Sequence, residues 1–90
     1  MKVLVIQEGD LFTAVLLEHE VSSYGESAEQ AIERLRWTLQ TRRELAESGY
    51  QPIEEVDPAP DEWQSMWEAA KPIDGFEATD EIASVRLAAA

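Results

Sequence analysis

A chain of 90 residues is long enough for one domain with a modest hydrophobic core and too short for two independent domains. It contains no cysteine, which excludes a disulfide framework, a thiol nucleophile and a zinc–thiolate cluster, and which suits a reducing compartment. The net charge of −12 repels the phosphates of DNA and RNA, so we expect a basic protein partner and no direct contact with nucleic acid. Residues 51–90 carry most of this charge, with ten acids against two bases, although such a surface also serves solubility.

The beginning of the chain predicts three strands. Apolar and β-branched residues run from Lys2 to Ile6 and again from Leu11 to Glu18, and the turn residues Glu8–Asp10 between them indicate a β-hairpin. The second run is apolar on both of its faces, so each face of the sheet needs a cover. A third short strand is expected from Glu20 to Tyr24. The first apolar run is too short for a signal peptide or a membrane span, which predicts a cytoplasmic protein without membrane contact.

A long helix is the clearest local prediction. Ser27 followed by Gln30 fits an N-terminal capping box, and the helical pattern continues to about Glu47 before Gly49 ends it. Its apolar residues fall on one stripe that we expect to pack on a face of the sheet: Ala28, Ala31, Ile32, Leu35, Leu39 and Ala46. Trp37 falls on the opposite side, where either another part of the chain covers it or a partner binds it.

Residues 51–81 are interpreted as an acidic connector that contains a short tryptophan-rich helix. The prolines predict an extended segment that is not packed, and a helix then begins at about Pro60 and stops at Pro72. Its apolar stripe starts at Trp63, and the helix either covers the second face of the sheet or binds in a groove of a partner. Together with Trp37, seven residues of this segment are candidate partner-binding residues: Glu54, Glu55, Asp57, Asp61, Glu62, Trp63 and Trp67.

These elements predict one domain, residues 1–90, of the α+β class. An acidic loop with Glu77 and Asp80 leads to a last strand from Ile82 to Leu87. The expected order is β-β-β-α-(α)-β, with an antiparallel hairpin sheet packed on one long helix. Within the domain, residues 1–50 form the β-β-β-α unit, residues 51–81 the connector and residues 82–87 the final strand.

The first half of the chain resembles the HicB-like antitoxin fold. The resemblance depends on the hairpin around Glu8–Asp10, a second strand led by the aromatic Phe12, and the segment Gly25–Ala31, with its glycine, capping hydroxyl and acidic residues before the helix. It implies a module that neutralises a ribonuclease toxin and commonly forms homo-oligomers. The chain departs from the family in its short Glu18–Glu20 connection and in the insertion at residues 51–81. The DNA-binding segment usual at the C-terminal side of the family is not expected within these 90 residues, so operator binding is not carried over.

No residue pattern indicates a catalytic, cofactor or metal site. His19 is the single histidine and lies between two glutamates, but no cysteine or nucleophile motif accompanies it, so we interpret it as a surface residue at the end of a strand. Glu54, Glu55 and Asp57 are close in sequence, yet carboxylates on a flexible segment bind a cation weakly. The chain is therefore not expected to be an enzyme, and no cofactor is expected.

Two functions stay open at this point. The first is a non-catalytic binding module, antitoxin-like or inhibitory, that neutralises a basic partner such as a nucleic-acid-binding protein or a ribonuclease. In one version of this hypothesis the carboxylates act as a nucleic-acid mimic and take the place of phosphates. The alternative is a self-assembling structural protein, because a small sheet with apolar faces and edge strands can complete its core with a second copy. A homo-oligomer is expected under both.

Overall fold

Five strands form one mixed sheet, in the order β3-β2-β1-β5-β4, in the computed structural model of the protein, which describes residues 1–76, 79 and 81–89. The elements follow one another as β1 (Lys2–Glu8), β2 (Leu11–Leu16), β3 (Val21–Gly25), α1 (Ala28–Glu47), a 3-10 turn (Ile53–Glu55), α2 (Asp61–Ala69), β4 (Lys71–Pro72) and β5 (Ser84–Ala89). The predicted α+β class is confirmed, with a long helix packed on the sheet. Glu77 and Asp80, expected in the acidic loop, lie outside the described residues.

The hairpin of β1 and β2 is confirmed. The two strands pair antiparallel from Val3 opposite Leu16 to Glu8 opposite Leu11. The two-residue turn between them begins with Gly9, whose φ is 60°, and a hairpin turn of this length needs such a positive φ. β2 ends earlier than predicted, at Leu16, because the next four residues form the turn that leads into β3.

The last strand completes the sheet by pairing parallel to β1. Lys2 lies opposite Ser84 and Gln7 lies opposite Ala89. The sheet is therefore mixed, and the predicted bounds of the last strand, 82–87, were wrong by two residues at each end. The alanines at the end of β5 are poor strand formers, but β1 offers them backbone partners as far as Gln7. Ile82 before the strand is instead a fully buried core residue.

A two-residue strand, β4, was not predicted. Pro72 was expected only to stop the second helix, but it also lies opposite Arg86 at the edge of the sheet. Proline is tolerated at an edge, because no neighbouring strand on that side requires its missing N–H.

Helix α1 begins and ends as its sequence predicts. The hydroxyl of Ser27 accepts a hydrogen bond from the backbone N of Gln30 at 3.0 Å, and the side chain of Gln30 accepts one from the backbone N of Glu26 at 2.7 Å. At the other end Gly49, with φ at 97°, and Tyr50 donate back to the carbonyl oxygens of the last turn, as in a Schellman motif. Both ends are thus fixed by local hydrogen bonds.

Each face of the sheet has its own apolar cluster. On the α1 face, Ala14 and Leu16 of β2 pack with the helix stripe, of which Leu35 is fully buried. On the opposite face, Val15 and Leu17 pack with residues of the connector and α2. The prediction that both faces of β2 are covered is confirmed, and α2 supplies the second cover from within the chain.

The connector is packed, which corrects the prediction of an unpacked extended segment. Ile53 begins a single 3-10 turn and is packed against the α1-side cluster, while Ala59 is only 4% exposed in the other cluster. The prolines of this segment lie outside the helices, with Pro52 just before the 3-10 turn and Pro60 just before α2, and they do not prevent the residues between them from reaching the core. In the described part of the chain, no helix has the length and apolarity needed to cross a membrane.

Truncation of a core side chain tests the assignment of the α1-side cluster. We expect Leu35→Ala and Leu16→Ala each to lower the free energy of unfolding by about 2–5 kcal/mol, because both side chains are fully buried and leave a cavity. Leu45→Ala is the matched control on the same helix, since Leu45 is 43% exposed and should change the free energy by less than about 1 kcal/mol. Urea unfolding measures the three values, and equal values for the three variants would contradict the assignment.

A second test concerns the close approach of β3 to α1. A Cβ atom at Gly25 would lie 2.5 Å from the backbone N of Ala31 and 3.0 Å from the Cβ of Gln30. We therefore expect Gly25→Ala to destabilise the domain by about 1–3 kcal/mol through overpacking. Ser22→Ala on the exposed side of the same strand should be close to neutral in the same urea experiment. An unchanged midpoint for Gly25→Ala would show that the helix start is not held against the strand.

Candidate partner-binding site

Helix α2 is docked on the sheet by Trp67. The side chain is 7% exposed and packs in the second cluster with Leu4 and Leu17. The guanidinium of Arg86 on β5 lies 4.5 Å from the centroid of its ring, and the Nη1 atom of Arg86 donates to the Trp67 carbonyl at 2.8 Å. The Nζ atom of Lys2 lies 5.6 Å from the same centroid. Two cations therefore hold the ring in place through its negative face.

Of the two predicted roles of α2, this position of Trp67 is that of a cover on the second face of the sheet. In the docked helix its indole is a core side chain, and it is not accessible to another protein. Trp63 and Met66 lie at the margin of the same cluster and are half-buried. They are the α2 residues of the predicted apolar stripe that still reach the surface.

The five predicted acids are exposed and follow one another along the connector and the first turn of α2. They are Glu54, Glu55, Asp57, Asp61 and Glu62. Asp61 and Glu62 also complement the positive end of the α2 dipole. We refer to these five residues as the acidic connector surface.

Backbone hydrogen bonds fix this surface to the turn between β2 and β3. The backbone N of Glu20 donates to the carbonyl of Asp57 at 2.7 Å, and the backbone N of Ala59 donates to the carbonyl of Leu17 at 3.0 Å. Each bond joins residues about forty positions apart in the chain. The acidic connector surface is therefore held by the fold at two points of its backbone.

Two side chains add to this attachment. The Nδ1 atom of His19 lies 2.9 Å from the carbonyl oxygen of Val56, and because a carbonyl only accepts, Nδ1 carries the proton in this bond. The Nε2 atom of Gln64 donates to the carbonyl of Leu17 at 3.0 Å. His19, predicted to be a surface residue at a strand end, is half-buried and attaches the connector to the turn between β2 and β3.

Sequence reasoning missed two acids beside the connector. Glu20 is exposed, and its backbone bond to Asp57 places it next to the acidic connector surface. Glu18 is also nearby in the chain, but its carboxylate accepts from the backbone N of Lys2 at 3.0 and 3.1 Å and so has a structural role. Because Glu20 and Asp57 are far apart in the sequence, no local pattern predicts that they lie close together.

Trp37 lies on a different side of the molecule. Its side chain is 68% exposed on the outer face of α1, and α1 and α2 cover opposite faces of the sheet. Near it, the Nη1 atom of Arg34 donates to the carbonyl of Tyr24 at 3.1 Å. The eight predicted residues therefore do not form one surface. The five acids follow one another along the connector and the start of α2, and Trp63 and Trp67 lie on the side of α2 that faces the sheet. Trp37 lies on α1, which covers the opposite face of the sheet.

A second exposed apolar surface was not predicted. Leu11 is 47% exposed and Tyr24 is 56% exposed, and both line a groove beside Trp63 and Met66. Leu11 lies on the second face of the sheet, which α2 was expected either to cover or to leave for a partner's groove, and the structure shows that α2 covers only part of it. A nine-residue helix is about 14 Å long, whereas five strands span about 19 Å. That comparison of lengths is the signal that could have predicted the gap.

A metal site needs several donor side chains that converge on one point. Among residues 1–76, 79 and 81–89, no three side chains of His, Cys, Asp or Glu come together in a way that could hold a metal ion. Within the same residues, no buried side-chain nitrogen or oxygen lacks a hydrogen-bond partner.

No protein-family model, no curated protein and no solved structure matches this chain. The resemblance of its first half to the HicB-like antitoxins therefore stays a hypothesis.

The contrast between the tryptophans gives a direct test of these positions. We expect Trp67→Ala to lower the free energy of unfolding by about 3–5 kcal/mol, because it leaves a cavity and removes the ring that Arg86 contacts. Trp37→Ala is the matched control and should change the free energy by less than about 0.5 kcal/mol, since the ring is mostly in solvent. Chemical denaturation monitored by circular dichroism measures both. A larger loss for Trp37→Ala than for Trp67→Ala would contradict the placement of α2.

Proposed function

We propose that this protein is a non-catalytic binding module that neutralises a basic protein partner, as an antitoxin-like or inhibitor protein does. The observation that carries the proposal is the attachment of the acidic connector surface: five exposed carboxylates stand on a backbone that the fold holds at Asp57 and Ala59. Ordering a flexible acidic segment at the moment of binding would cost conformational entropy, and a segment already held in place avoids most of that cost.

The net charge of this chain determines which kind of partner it attracts. The chain has a net charge of −12, and a potential of this sign attracts a basic surface over distances up to the Debye length. Such complementarity mainly raises the association rate and selects among partners. We therefore propose a basic partner whose binding weakens as salt is added.

The nature of that partner is part of the same proposal. Carboxylates at fixed positions are able to take the place of nucleic-acid phosphates, so a nucleic-acid-binding protein or a ribonuclease is the partner class we favour. This agrees with the function implied by the resemblance to HicB-like antitoxins and with a cytoplasmic location. Homo-oligomers of the module are compatible with it.

Self-assembly as the sole function has less support. A sheet that needs a second copy to complete its core would leave a whole face open, whereas here α1 covers one face and α2 covers most of the other. The large apolar residues that stay exposed among the described residues are spread over both layers instead of forming one open face: Leu11, Tyr24, Trp37, Leu45 and Tyr50.

A charge-neutral connector tests the proposal. We expect a variant with all five acids of the acidic connector surface changed to amides to lose the basic partner, with recovery reduced by roughly tenfold or more, because the electrostatic attraction is removed. The changes are Glu54→Gln, Glu55→Gln, Asp57→Asn, Asp61→Asn and Glu62→Gln. The measurement is a tagged pull-down from the source cell at low and high salt, with mass spectrometry of the retained proteins.

The matched control neutralises five exposed acids on and beside α1. These changes are Glu26→Gln, Glu29→Gln, Glu33→Gln, Glu44→Gln and Glu47→Gln. The control has the same net charge as the connector variant, so any difference between them reports the location of the charges. Support for the proposal is one basic protein retained in stoichiometric amount by the wild type and the control. Equal recovery with both variants, or no basic protein with the wild type, contradicts it.

A further inference from the structure

We propose that the groove between α2 and the β2–β3 part of the sheet binds one large apolar side chain from a basic segment of the partner protein. The basic character of the partner rests on the proposed function, but the groove is a different surface from the acidic connector. Its walls are Leu11 and Tyr24 on the strands and Trp63 and Met66 on α2. We refer to it as the α2 groove.

The size of the α2 groove fits a side chain. Its volume is about 290 Å³, just below the range of about 300–1,000 Å³ in which small-molecule sites fall. The apolar part of the lining consists of two aromatic side chains with Ile6, Leu11 and Met66, and the hydroxyl residues Thr13 and Ser22 also line the groove. Methionine adapts to differently shaped apolar groups. A leucine, methionine or phenylalanine side chain would bury the exposed parts of Leu11 and Tyr24 on entering.

The charges around the groove favour a basic segment of the partner as the carrier of this apolar side chain. Glu8 lines the groove, and the exposed Glu62 precedes Trp63 in α2. Helix α2 contains three acids and no base. A lysine or arginine next to the inserted apolar residue would lie close to these carboxylates.

Three cationic side chains of this protein make contacts within the chain. Arg86 and Lys2 lie over the Trp67 ring, and Arg34 donates to the carbonyl of Tyr24. None of these three cations lines the groove, and Glu8 is its charged lining residue. The groove therefore combines apolar walls with one lining carboxylate, that of Glu8.

A second copy of this chain is a poorer occupant. It would bring another net charge of −12, and two-fold pairing of the grooves would place Glu8 and Glu62 of one copy against the acids of the other. Strand addition along β3 is also hindered, because the Arg34 side chain already occupies the carbonyl of Tyr24 at this edge of the sheet. Insertion of a side chain from a basic segment avoids both difficulties.

Two synthetic peptides test this proposal directly. One is an oligolysine heptapeptide with a central phenylalanine, and the other has alanine at the centre. Titration of the full chain, labelled with ¹⁵N and followed by NMR, gives the dissociation constant and the affected residues. We expect the phenylalanine peptide to bind about tenfold more tightly, because its ring is removed from water, and to shift the signals of Leu11, Tyr24 and the Trp63 indole.

Variants distinguish the α2 groove from the acidic connector surface. Tyr24→Asn and Leu11→Asn should each remove the preference for phenylalanine while leaving the weaker binding of the alanine peptide, and Trp37→Asn, the control, should retain the preference. Both groove residues are exposed, so if one variant fails to fold the other still gives the answer. The connector variant should show the opposite pattern, with weaker binding of both peptides and an intact preference.

Other results would overturn the proposal. Equal affinity for the two peptides would show binding by charge alone, which leaves the proposed function in place and excludes the groove. Concentration-dependent self-association that Tyr24→Asn abolishes would make a second copy the occupant. Failure of the phenylalanine peptide to bind at millimolar concentration, or a preference unchanged in both groove variants, would exclude this surface.

Discussion

A five-stranded sheet with two apolar faces needs two covers, and this constraint determines most of the molecule. Strand β1 lies in the middle of the sheet, and its residues from Val3 to Ile6 are at most 5% exposed because they face apolar side chains on both sides. Helix α1, with twenty residues and a length of about 30 Å, is long enough to cover one face. Helix α2 is less than half as long and leaves part of the other face open. The α2 groove is a consequence of that difference in length.

A short helix also needs tertiary contacts to be stable, since isolated helices of this length are unstable in water. For α2 these contacts are the packing of Trp67, the hydrogen bond that Arg86 donates to its carbonyl, and the connector bonds on the N-terminal side of the helix. The bonds that dock α2 also fix the carboxylates before it. The same contacts therefore cover the second face of the sheet and hold the acidic connector surface in place. Lys2 and Arg86, two of the seven bases, are both half-buried at the Trp67 ring.

Local signals in the sequence were sufficient for the elements that local hydrogen bonds and periodicity define. The capping residues Ser27 and Gln30 predicted the start of α1, and the alternation in β2 correctly divided its side chains between two clusters. Features that depend on residues distant in the chain were not predicted. The parallel pairing of β5 extends that strand through Ala89, and the bond between Glu20 and Asp57 fixes a connector whose prolines indicated no packing. For the candidate site, composition located the acids and left two roles open for α2, and the contact that Trp67 makes with Arg86, nineteen residues away, had no local signal.

The two proposed contact surfaces have different physical ranges and lie on the same side of the molecule, since Glu62 of the acidic connector surface is next to Trp63 of the α2 groove. Attraction by carboxylates acts before contact and depends on salt, so it governs the rate of encounter. Burial of an apolar side chain acts only on contact and is largely insensitive to salt, so it governs how long a complex lasts. A partner that approached through the acids alone would be any basic protein, and the groove adds the requirement for one apolar residue at a defined position. Trp37, on the opposite layer, belongs to neither surface, and a partner bound on the α2 side would leave it exposed. The structure thus leaves that face of α1 available for a separate contact.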